Sequence, residues 1–269
     1  NMKTLTVVVG FDQRESVAYH AFCQSVLEKS SIPVRFLPLA RGAMKFYTET
    51  HQDGSNAFIY SRFLTPFLCD YEGMAVFADG DMICLTDIAE LARLYDPTKA
   101  VQVAKHDYKT KAAVKYLGNK NENYPRKNWS SLILWNCSHP ANRVLTPALV
   151  QEKPGSFLHR FSWLDDSLIG ELPKEWNWLE TEYDLNPAAK LIHYTLGTPC
   201  FKDYEKSDTS DEWWAAYRRL TDAANYLLRT EPHSPVPYLV KRAVTWGNMP
   251  LADLLQEFVT SADDLVMIQ

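Results

Sequence analysis

The sequence predicts an α/β protein built on a mainly parallel, doubly wound sheet flanked by helices. Short apolar segments of strand length alternate with segments of helical length over residues 4–104, the pattern of βαβ units. The apolar runs 4–10 and 74–78 carry no charge, as expected for strands buried on both faces. Both runs lead into aspartates, Asp12 and Asp79, and ligands gather at the carboxyl ends of such strands.

Strands and helices follow in order along the first half of the chain. The predicted strands there are 4–10, 34–39, 74–82 and 100–104. The predicted helices between them are 15–29, 57–69 with a kink or break at Pro66, and 87–95. Residues 41–56 have the composition of a loop.

The second half is predicted to complete one domain and to add a helical extension. Its predicted strands are 129–136 and 191–194. Its predicted helices are a short one after Thr146-Pro147, one capped by Asp165-Asp166-Ser167 and running to Leu172, a long amphipathic one at 211–228, and segments near 238–246 and 250–260. We therefore expect a catalytic domain at 2–204 and a C-terminal helical extension at 205–269, packed on or beside it.

Composition narrows the class of protein. The 269 residues are 46% hydrophobic, which is enough for a sizeable core. A net charge of −5 argues against a general nucleic-acid binder. No run approaches the ~18 uncharged apolar residues of a membrane span, and the chain enters a strand pattern at once, so we expect no signal peptide.

Cysteine usage indicates the compartment. The five cysteines are widely spaced and form no Cys-x-x-Cys motif. Free, mostly buried thiols in a reducing compartment are the expected state, which favours a cytoplasmic location.

The segment Asp79-Gly80-Asp81 is the strongest candidate for chemistry. Side chains alternate along an extended chain, so Asp79 and Asp81 can point the same way, and Gly80 leaves room for a ligand to approach the backbone. Two carboxylates at a strand end suit Mg²⁺ or Mn²⁺. The alternative is a turn with solvated acids, since Asp-Gly is a common turn pair.

Residues 105–127 are rich in lysine and arginine, with Asp107 and Glu122 as the only acids. The stretch is interpreted either as a solvated, mobile loop or as a basic rim that attracts an anionic substrate, and the two are compatible. It is also compatible, like the C-terminal helices, with peripheral contact to a membrane.

An ordered set of motifs resembles glycosyltransferase family 8, which includes glycogenin and bacterial lipopolysaccharide glycosyltransferases. The motifs are Phe11-Asp12 after the first strand, the arginine-bearing segment 60–68, Asp79-Gly80-Asp81, 85–88, 172–177 and His193-Tyr194-Thr195-Leu196-Gly197. The resemblance covers about residues 4–204. It implies a GT-A (Rossmann-like) fold and retention of the anomeric configuration.

The resemblance assigns ligands for a metal and a donor. Asp79, Asp81 and His193 would bind Mn²⁺ (or Mg²⁺) with the diphosphate of a UDP-sugar, and an imidazole ligand favours manganese. The alternative for His193 is a histidine satisfied within the core. The residues expected to contact the donor nucleotide are Phe11, Asp12, Gly80, Gly197 and Lys202.

The resemblance also assigns catalytic roles. Arg62 would hold the donor sugar and the acidic motif, the alternative being a surface ion pair. Asp165 would grip a sugar hydroxyl and Asp166 would lie near the anomeric carbon, the alternative being an N-cap pair of acids. Asn177, with its neighbour Trp176, is expected to shape the acceptor side or to pack.

The last motif departs from the family pattern. The family's His-x-x-Gly-x-x-Lys-Pro-Trp is replaced by the sequence 193–201, in which the glycine is displaced by one and the lysine is absent. Lys202 is the nearest substitute for that diphosphate-binding lysine, or a lysine from 105–127 takes its place.

Together these inferences predict a metal-dependent retaining glycosyltransferase that moves a sugar from a UDP-sugar to a glycan or lipid-linked acceptor. By family analogy it would serve bacterial surface polysaccharide synthesis, lipopolysaccharide or capsule, at the inner face of the membrane. One alternative is a catalytically inactive GT-A nucleotide-binding domain. The other is a sugar-nucleotide nucleotidyltransferase, although residues 10–14 lack the glycine-rich phosphate loop of that chemistry.

Overall fold

A central six-stranded sheet and a small three-stranded sheet form the framework of the molecule. The structure is a computed structural model that describes residues 4–52, 56–112 and 123–231, with positions 233, 238, 241 and 242 beyond them. The strands are β1 (Leu5–Gly10), β2 (Val34–Leu39), β3 (Met74–Ala78), β4 (Met82–Cys84), β5 (Val101–Val103), β6 (Leu132–Asn136), β7 (Ile169–Glu171), β8 (Trp178–Leu179) and β9 (Leu191–His193). The α-helices are α1 (Ser16–Lys29), α2 (Thr65–Leu68), α3 (Ile88–Ala92), α4 (Pro147–Glu152), α5 (Gly155–Leu158) and α6 (Ser210–Thr230).

The central sheet has the strand order β2-β1-β3-β6-β5-β7. The pairs β1–β2, β1–β3 and β5–β7 are parallel, whereas β6 is antiparallel to both β3 and β5. Five strands therefore run in one direction and β6 alone is reversed, which confirms the prediction of a mainly parallel sheet. The carboxyl ends of β1, β3 and β5 and the start of β6 consequently lie along one edge, which we call the upper edge.

The strand predicted over 74–82 is divided between the two sheets. Its first part, β3, belongs to the central sheet, and its last part, β4, pairs with β9 in the small sheet of order β4-β9-β8. Asp79-Gly80-Asp81 is the crossover between them. The motif therefore lies where two sheets meet.

Both faces of the central sheet are covered, and β1 shows why its sequence is uncharged. Val7 and Val9 pack with Phe22 of α1 on one face, and Val8 packs with Phe63 on the other. All five side chains are fully buried. A strand buried on both faces needs a continuous apolar run, as the sequence has.

Two predicted helices are shorter or absent. The helix predicted at 57–69 is a 3₁₀ turn, Ser61–Leu64, followed by the single turn α2, in which Pro66 lies in the first turn rather than ending the helix. The helix predicted from Asp165 to Leu172 is wrong: a 3₁₀ turn, Asp166–Leu168, leads into β7. Sheet pairing with β5 overrides the local helical signal there.

Helix α6 packs on α1. Trp213 and Ala216 share a buried cluster with Val17 and Ala21 of α1. The hydroxyl of Tyr194 donates to the carbonyl of Thr209 at 2.8 Å. The boundary at residue 205 stays a prediction, and the helices predicted at 238–246 and 250–260 fall outside the described residues. Within the described part of the chain, no helix has both the length and the hydropathy needed to cross a bilayer.

We predict that Trp213→Ala destabilises the protein by about 3–5 kcal/mol, because it empties a fully buried indole site between α1 and α6. Tyr226→Ala is the matched control on the same helix, since Tyr226 is 59% exposed. Thermal unfolding followed by circular dichroism measures both. Equal melting temperatures for the two variants would show that α6 is not part of the cooperative fold.

Candidate metal centre

The structure brings the three predicted metal ligands together. Asp79, Asp81 and His193 each offer one ligand atom, and these atoms lie within 4.8 Å of one another. His193 Nε2 lies 3.3 Å from Asp81 Oδ1 and 3.9 Å from Asp79 Oδ2. The interpretation of the motif as a solvated turn is therefore wrong for Asp79, which is 8% exposed.

Backbone pairing at the junction of the sheets fixes this arrangement. The amide of Asp79 donates to the carbonyl of Ser131 at 2.9 Å, next to the start of β6. The amide of Tyr194 donates to the carbonyl of Asp81 at 3.0 Å, and Met82 lies opposite His193 in the β4–β9 ladder. Main-chain hydrogen bonds thus fix the backbone that carries the imidazole and the two carboxylates.

Asn177 orients the imidazole. Its Nδ2 donates to Ser131 Oγ at 2.8 Å and to the carbonyl of Asn128 at 3.3 Å, so its Oδ1 must face His193. The 3.1 Å contact between His193 Nδ1 and Asn177 Oδ1 is then an N–H donated to the amide oxygen. This network assigns a proton to Nδ1 and leaves Nε2 facing the carboxylates.

The sequence predicts that Asn177 shapes the acceptor side or packs, and it gives no sign of this orienting role. A ligating histidine requires an acceptor for its other ring nitrogen. That acceptor comes from a 3₁₀ turn, Lys174–Asn177, 16 residues before the histidine, and no local spacing marks it.

The donor set fits a divalent cation. Two carboxylate oxygens and one imidazole nitrogen suit Mn²⁺, and they leave positions for water and phosphate oxygens. His193 is 2% exposed. Two carboxylates in such a buried place repel each other unless positive charge compensates them, which a divalent ion would do.

Arg62 supplies part of that compensation. Its Nη1 lies 2.8 Å from Asp79 Oδ1 and donates to the carbonyl of Ser130 at 2.9 Å. The guanidinium lies 5.5 Å and 5.0 Å from the ring centroids of Phe58 and Phe77. Arg62 is 4% exposed, so the alternative of a surface ion pair is wrong. Contact with a donor sugar stays a prediction.

Asp12 forms a clamp at the end of β1. Its carboxylate accepts hydrogen bonds from the backbone and guanidinium of Arg14 and from the amide of Ala57, at 2.6–3.1 Å. Burial alone would raise the pKa of Asp12, but the bonds and charge of Arg14 outweigh it and lower the pKa. Its neighbour Phe11 packs edge-to-face on Tyr19 at 5.5 Å.

The two predicted glycines occupy constrained positions. A Cβ at Gly80 would lie 2.5 Å from the carbonyl oxygen of Gly10, so close packing of the motif against β1 requires glycine there. Gly197 has φ +150°, which side chains disfavour. The structure thus gives both residues a backbone reason, and their contact with a nucleotide stays a prediction.

The acid pair 165–166 lies on the surface. Asp165 Oδ1 accepts from the amide of Ser167 at 2.9 Å, as an N-cap does, and the side chain and amide of Ser167 lower the pKa of Asp165. Asp166 is 84% exposed at its side chain and lies 2.7 Å from Arg126 Nη2. Their catalytic roles stay predictions.

The candidates for the diphosphate-binding lysine, Lys202 and the lysines of 105–127, differ in burial. Lys202 is exposed. Lys127, in the basic stretch, is 6% exposed and is the one buried lysine of the described part of the chain. It precedes Asn128, whose carbonyl accepts from Asn177.

An aromatic wall, formed by Tyr108, Trp178 and Tyr183, adjoins the centre where β5 ends, and His106 contacts it. His106 Nδ1 lies 2.7 Å from the Tyr183 hydroxyl, and Tyr183 packs on Tyr108 and Trp178 at 5.9 and 5.0 Å. Burial, with a smaller contribution from the charges of His193 and Lys174, lowers the pKa of His106 to about 3. The imidazole of His106 is therefore uncharged at neutral pH.

We predict that Asn177→Ala weakens Mn²⁺ binding by roughly 10–100-fold, because the imidazole loses the acceptor that fixes its tautomer. Asn186→Ala is the matched control, since the side-chain oxygen of Asn186 also accepts a hydrogen bond, but from the amide of Ala188 instead of from His193. Titration calorimetry with Mn²⁺ measures the affinity. Unchanged affinity in Asn177→Ala would exclude this role.

The chain is similar in sequence to a known plant protein. Protein CDI of Arabidopsis thaliana is 41% identical over 220 residues, covering 78% of this chain and 85% of that protein. No family model matches the chain.

Two solved structures share the fold at low sequence identity. The apo structure of the bifunctional glycosyltransferase WbbM superposes with a TM-score of 0.57 at 14% identity, covering 90% of this chain and 52% of WbbM. Apo GlyE of Streptococcus pneumoniae TIGR4 gives 0.53 at 13%, covering 80% of this chain and 60% of GlyE. The chain therefore spans about half to three fifths of these two proteins. It has the GT-A fold of glycosyltransferases, and it belongs to the family of Protein CDI within the glycosyltransferase family 8-like proteins.

Proposed function

We propose that the protein is a metal-dependent retaining glycosyltransferase that moves a sugar from a UDP-sugar to a glycan or lipid-linked acceptor. The observation that carries the proposal is the convergence of Asp79, Asp81 and His193 within 4.8 Å at the upper edge of a GT-A sheet, with Arg62 on Asp79. A purely structural cluster would not need an imidazole whose Nε2 faces two carboxylates.

The three side chains would hold Mn²⁺ or Mg²⁺, which supplies charge neutralisation for a departing diphosphate. Arg62 keeps Asp79 in place, because its guanidinium is fixed by the carbonyls of Ser130 and Ile59. Asn177 holds the His193 ring so that Nε2 faces the two carboxylates. The ligands are therefore held ready before the donor arrives, which limits the ordering cost of binding.

The nucleotide is proposed to lie beside the end of β1. Phe11 and Asp12 would border the uridine base and ribose, and the backbone at Gly80 and Gly197 would approach the diphosphate. The clamp of Asp12 by Arg14 and Ala57 supports this role by fixing the loop that follows β1.

Retention is proposed to occur by attack from the leaving-group face. Asp166 is the family-derived candidate for a nucleophile, and in the structure Arg126 lies 2.7 Å from it. An arginine partner stabilises the carboxylate charge and makes the group a weaker nucleophile. This pairing supports front-face attack, in which a phosphate oxygen accepts the acceptor's proton, over a covalent intermediate on Asp166.

The acceptor side is proposed to be the aromatic wall of Tyr108, Trp178 and Tyr183. Its half-buried rings offer flat apolar faces with polar edges, which suit a sugar ring. A bacterial surface glycan, a cytoplasmic location and membrane contact through 105–127 are retained only as predictions. Part of that stretch, 113–122, falls outside the described residues, and the 41% identical relative is a plant protein.

The direct test is incubation with a panel of UDP-sugars and Mn²⁺, with donor cleavage read by mass spectrometry and the anomer of the product by NMR. We expect metal-dependent cleavage with retention. Asp81→Asn should lower the rate by about 100-fold or more, because the ion contributes several kcal/mol to the barrier. Glu72→Gln, an exposed acid at the opposite edge of the sheet, should leave the rate unchanged.

Three results would contradict the proposal. Binding of UDP and Mn²⁺ without turnover of any donor would favour the inactive nucleotide-binding domain. Inversion of the anomer would exclude the retaining mechanism. Formation of a sugar nucleotide from a sugar phosphate and UTP would instead support the nucleotidyltransferase alternative.

A second prediction separates the two candidate diphosphate lysines. Lys127 is buried next to the hydrogen bond between Asn128 and Asn177, which makes it the better candidate. We expect Lys127→Met to weaken binding of UDP with Mn²⁺ by roughly tenfold or more, because the diphosphate would lose one charged hydrogen bond. Lys202→Met should change it by no more than about twofold, as for an exposed surface residue. The reverse order in calorimetry would assign the role to Lys202.

A further inference from the structure

A pair of cysteines lies at the edge of the central sheet opposite the metal centre. Cys69 directly follows α2, and Cys137 directly follows β6. Because β6 is reversed, its end lies beside the start of β3, with Asn136 opposite Met74. The two thiols, far apart in sequence, are thereby brought to the same place, which we call the lower edge.

Backbone contacts fix the two segments against each other. The amide of Cys137 donates to the carbonyl of Gly73 at 2.9 Å, and the amide of Gly73 donates to Ser138 Oγ at 2.6 Å. Cys137 belongs to the buried core cluster against which Cys69 packs, and its thiol is near enough to that of Cys69 to influence the pKa of Cys69. Both are free thiols.

The two sulfurs differ in access. Cys137 is fully buried, whereas Cys69 is half-buried and lines a cavity of about 760 Å³ at the lower edge, together with Arg35. A small oxidant can therefore reach Cys69 first. The neighbouring Cys137 thiol and the charge of Arg35 outweigh burial and the charge of Asp70 and lower the pKa of Cys69, which favours its thiolate.

We propose that Cys69 and Cys137 form a peroxide-responsive dithiol, in which Cys69 attacks the oxidant and Cys137 resolves the product into a disulfide. The thiolate of Cys69 attacks one oxygen of hydrogen peroxide, which gives a sulfenic acid and hydroxide. The thiol of Cys137 then attacks the sulfenyl sulfur, and the oxygen leaves as water once the thiol proton is transferred. Two thiols are oxidised, one peroxide is reduced, and two waters result overall.

The disulfide would tie two segments that also meet at the metal centre. Helix α2 continues the 3₁₀ turn that carries Arg62, and β6 begins beside Ser130, whose carbonyl binds Arg62. A crosslink between their far ends closes a long loop and should raise the melting temperature of the oxidised protein.

The test treats the full chain with hydrogen peroxide, blocks remaining thiols, and maps peptides by mass spectrometry without reduction. We expect the crosslinked peptide pair containing Cys69 and Cys137, its loss on reduction, and a higher melting temperature before reduction. Cys200→Ser is the matched control, another half-buried cysteine, and should still form the crosslink. Oxidation that leaves both thiols free while other cysteines react would overturn the proposal.

The order of the two steps has its own test. In Cys137→Ser the sulfenic acid on Cys69 cannot form the disulfide with residue 137, so a dimedone adduct should accumulate on Cys69. No other cysteine should be labelled faster than Cys69. An adduct on Cys200 in place of Cys69 would contradict the assignment. If this variant fails to fold, the peptide map of the unaltered chain decides alone.

Discussion

Two neighbouring carboxylates, one buried and one half-buried, beside a buried imidazole are the constraint on which the rest of this structure depends. Asp79 and Asp81 repel each other, and Asn177 orients His193 so that its Nε2 faces them. Such a cluster is unfavourable alone and becomes favourable when cations balance it. Arg62 provides one positive charge within the protein, buried between two phenylalanine rings. A divalent ion is the natural source of the rest.

The fold serves this constraint through strand direction. Since five strands of the central sheet run the same way and β6 is reversed, the ends of β1 and β3 meet the start of β6 at the upper edge. Ser130 and Ser131, just before β6, then reach Arg62, Asp79 and Asn177. The same reversal places Cys137 beside Cys69 at the lower edge. One topological feature therefore determines both the metal centre and the thiol pair.

The sequence predicted the parts of this arrangement that local pattern controls. The uncharged run of β1 follows from its burial on both faces, the predicted strand 34–39 matches β2, and Asp-Gly-Asp after an apolar strand indicates the metal motif. Contacts between distant segments left no such trace. The segment of β7 has a local helical signal and becomes a strand only beside β5, and the sequence around Asn177 gives no sign that its amide orients His193. The burial of Lys127 was equally hidden, because it sits in a stretch whose composition is that of a solvated loop.

The central claim is that one divalent ion binds the two aspartates and the imidazole together. Pulsed electron paramagnetic resonance of the protein loaded with one equivalent of Mn²⁺ tests it most directly, because a coordinated imidazole gives a nitrogen modulation in the manganese signal. The account predicts modulation from a single histidine nitrogen, which disappears in His193→Ala and persists in His106→Ala. Bound manganese without nitrogen modulation, or with modulation unaffected by loss of His193, would contradict it.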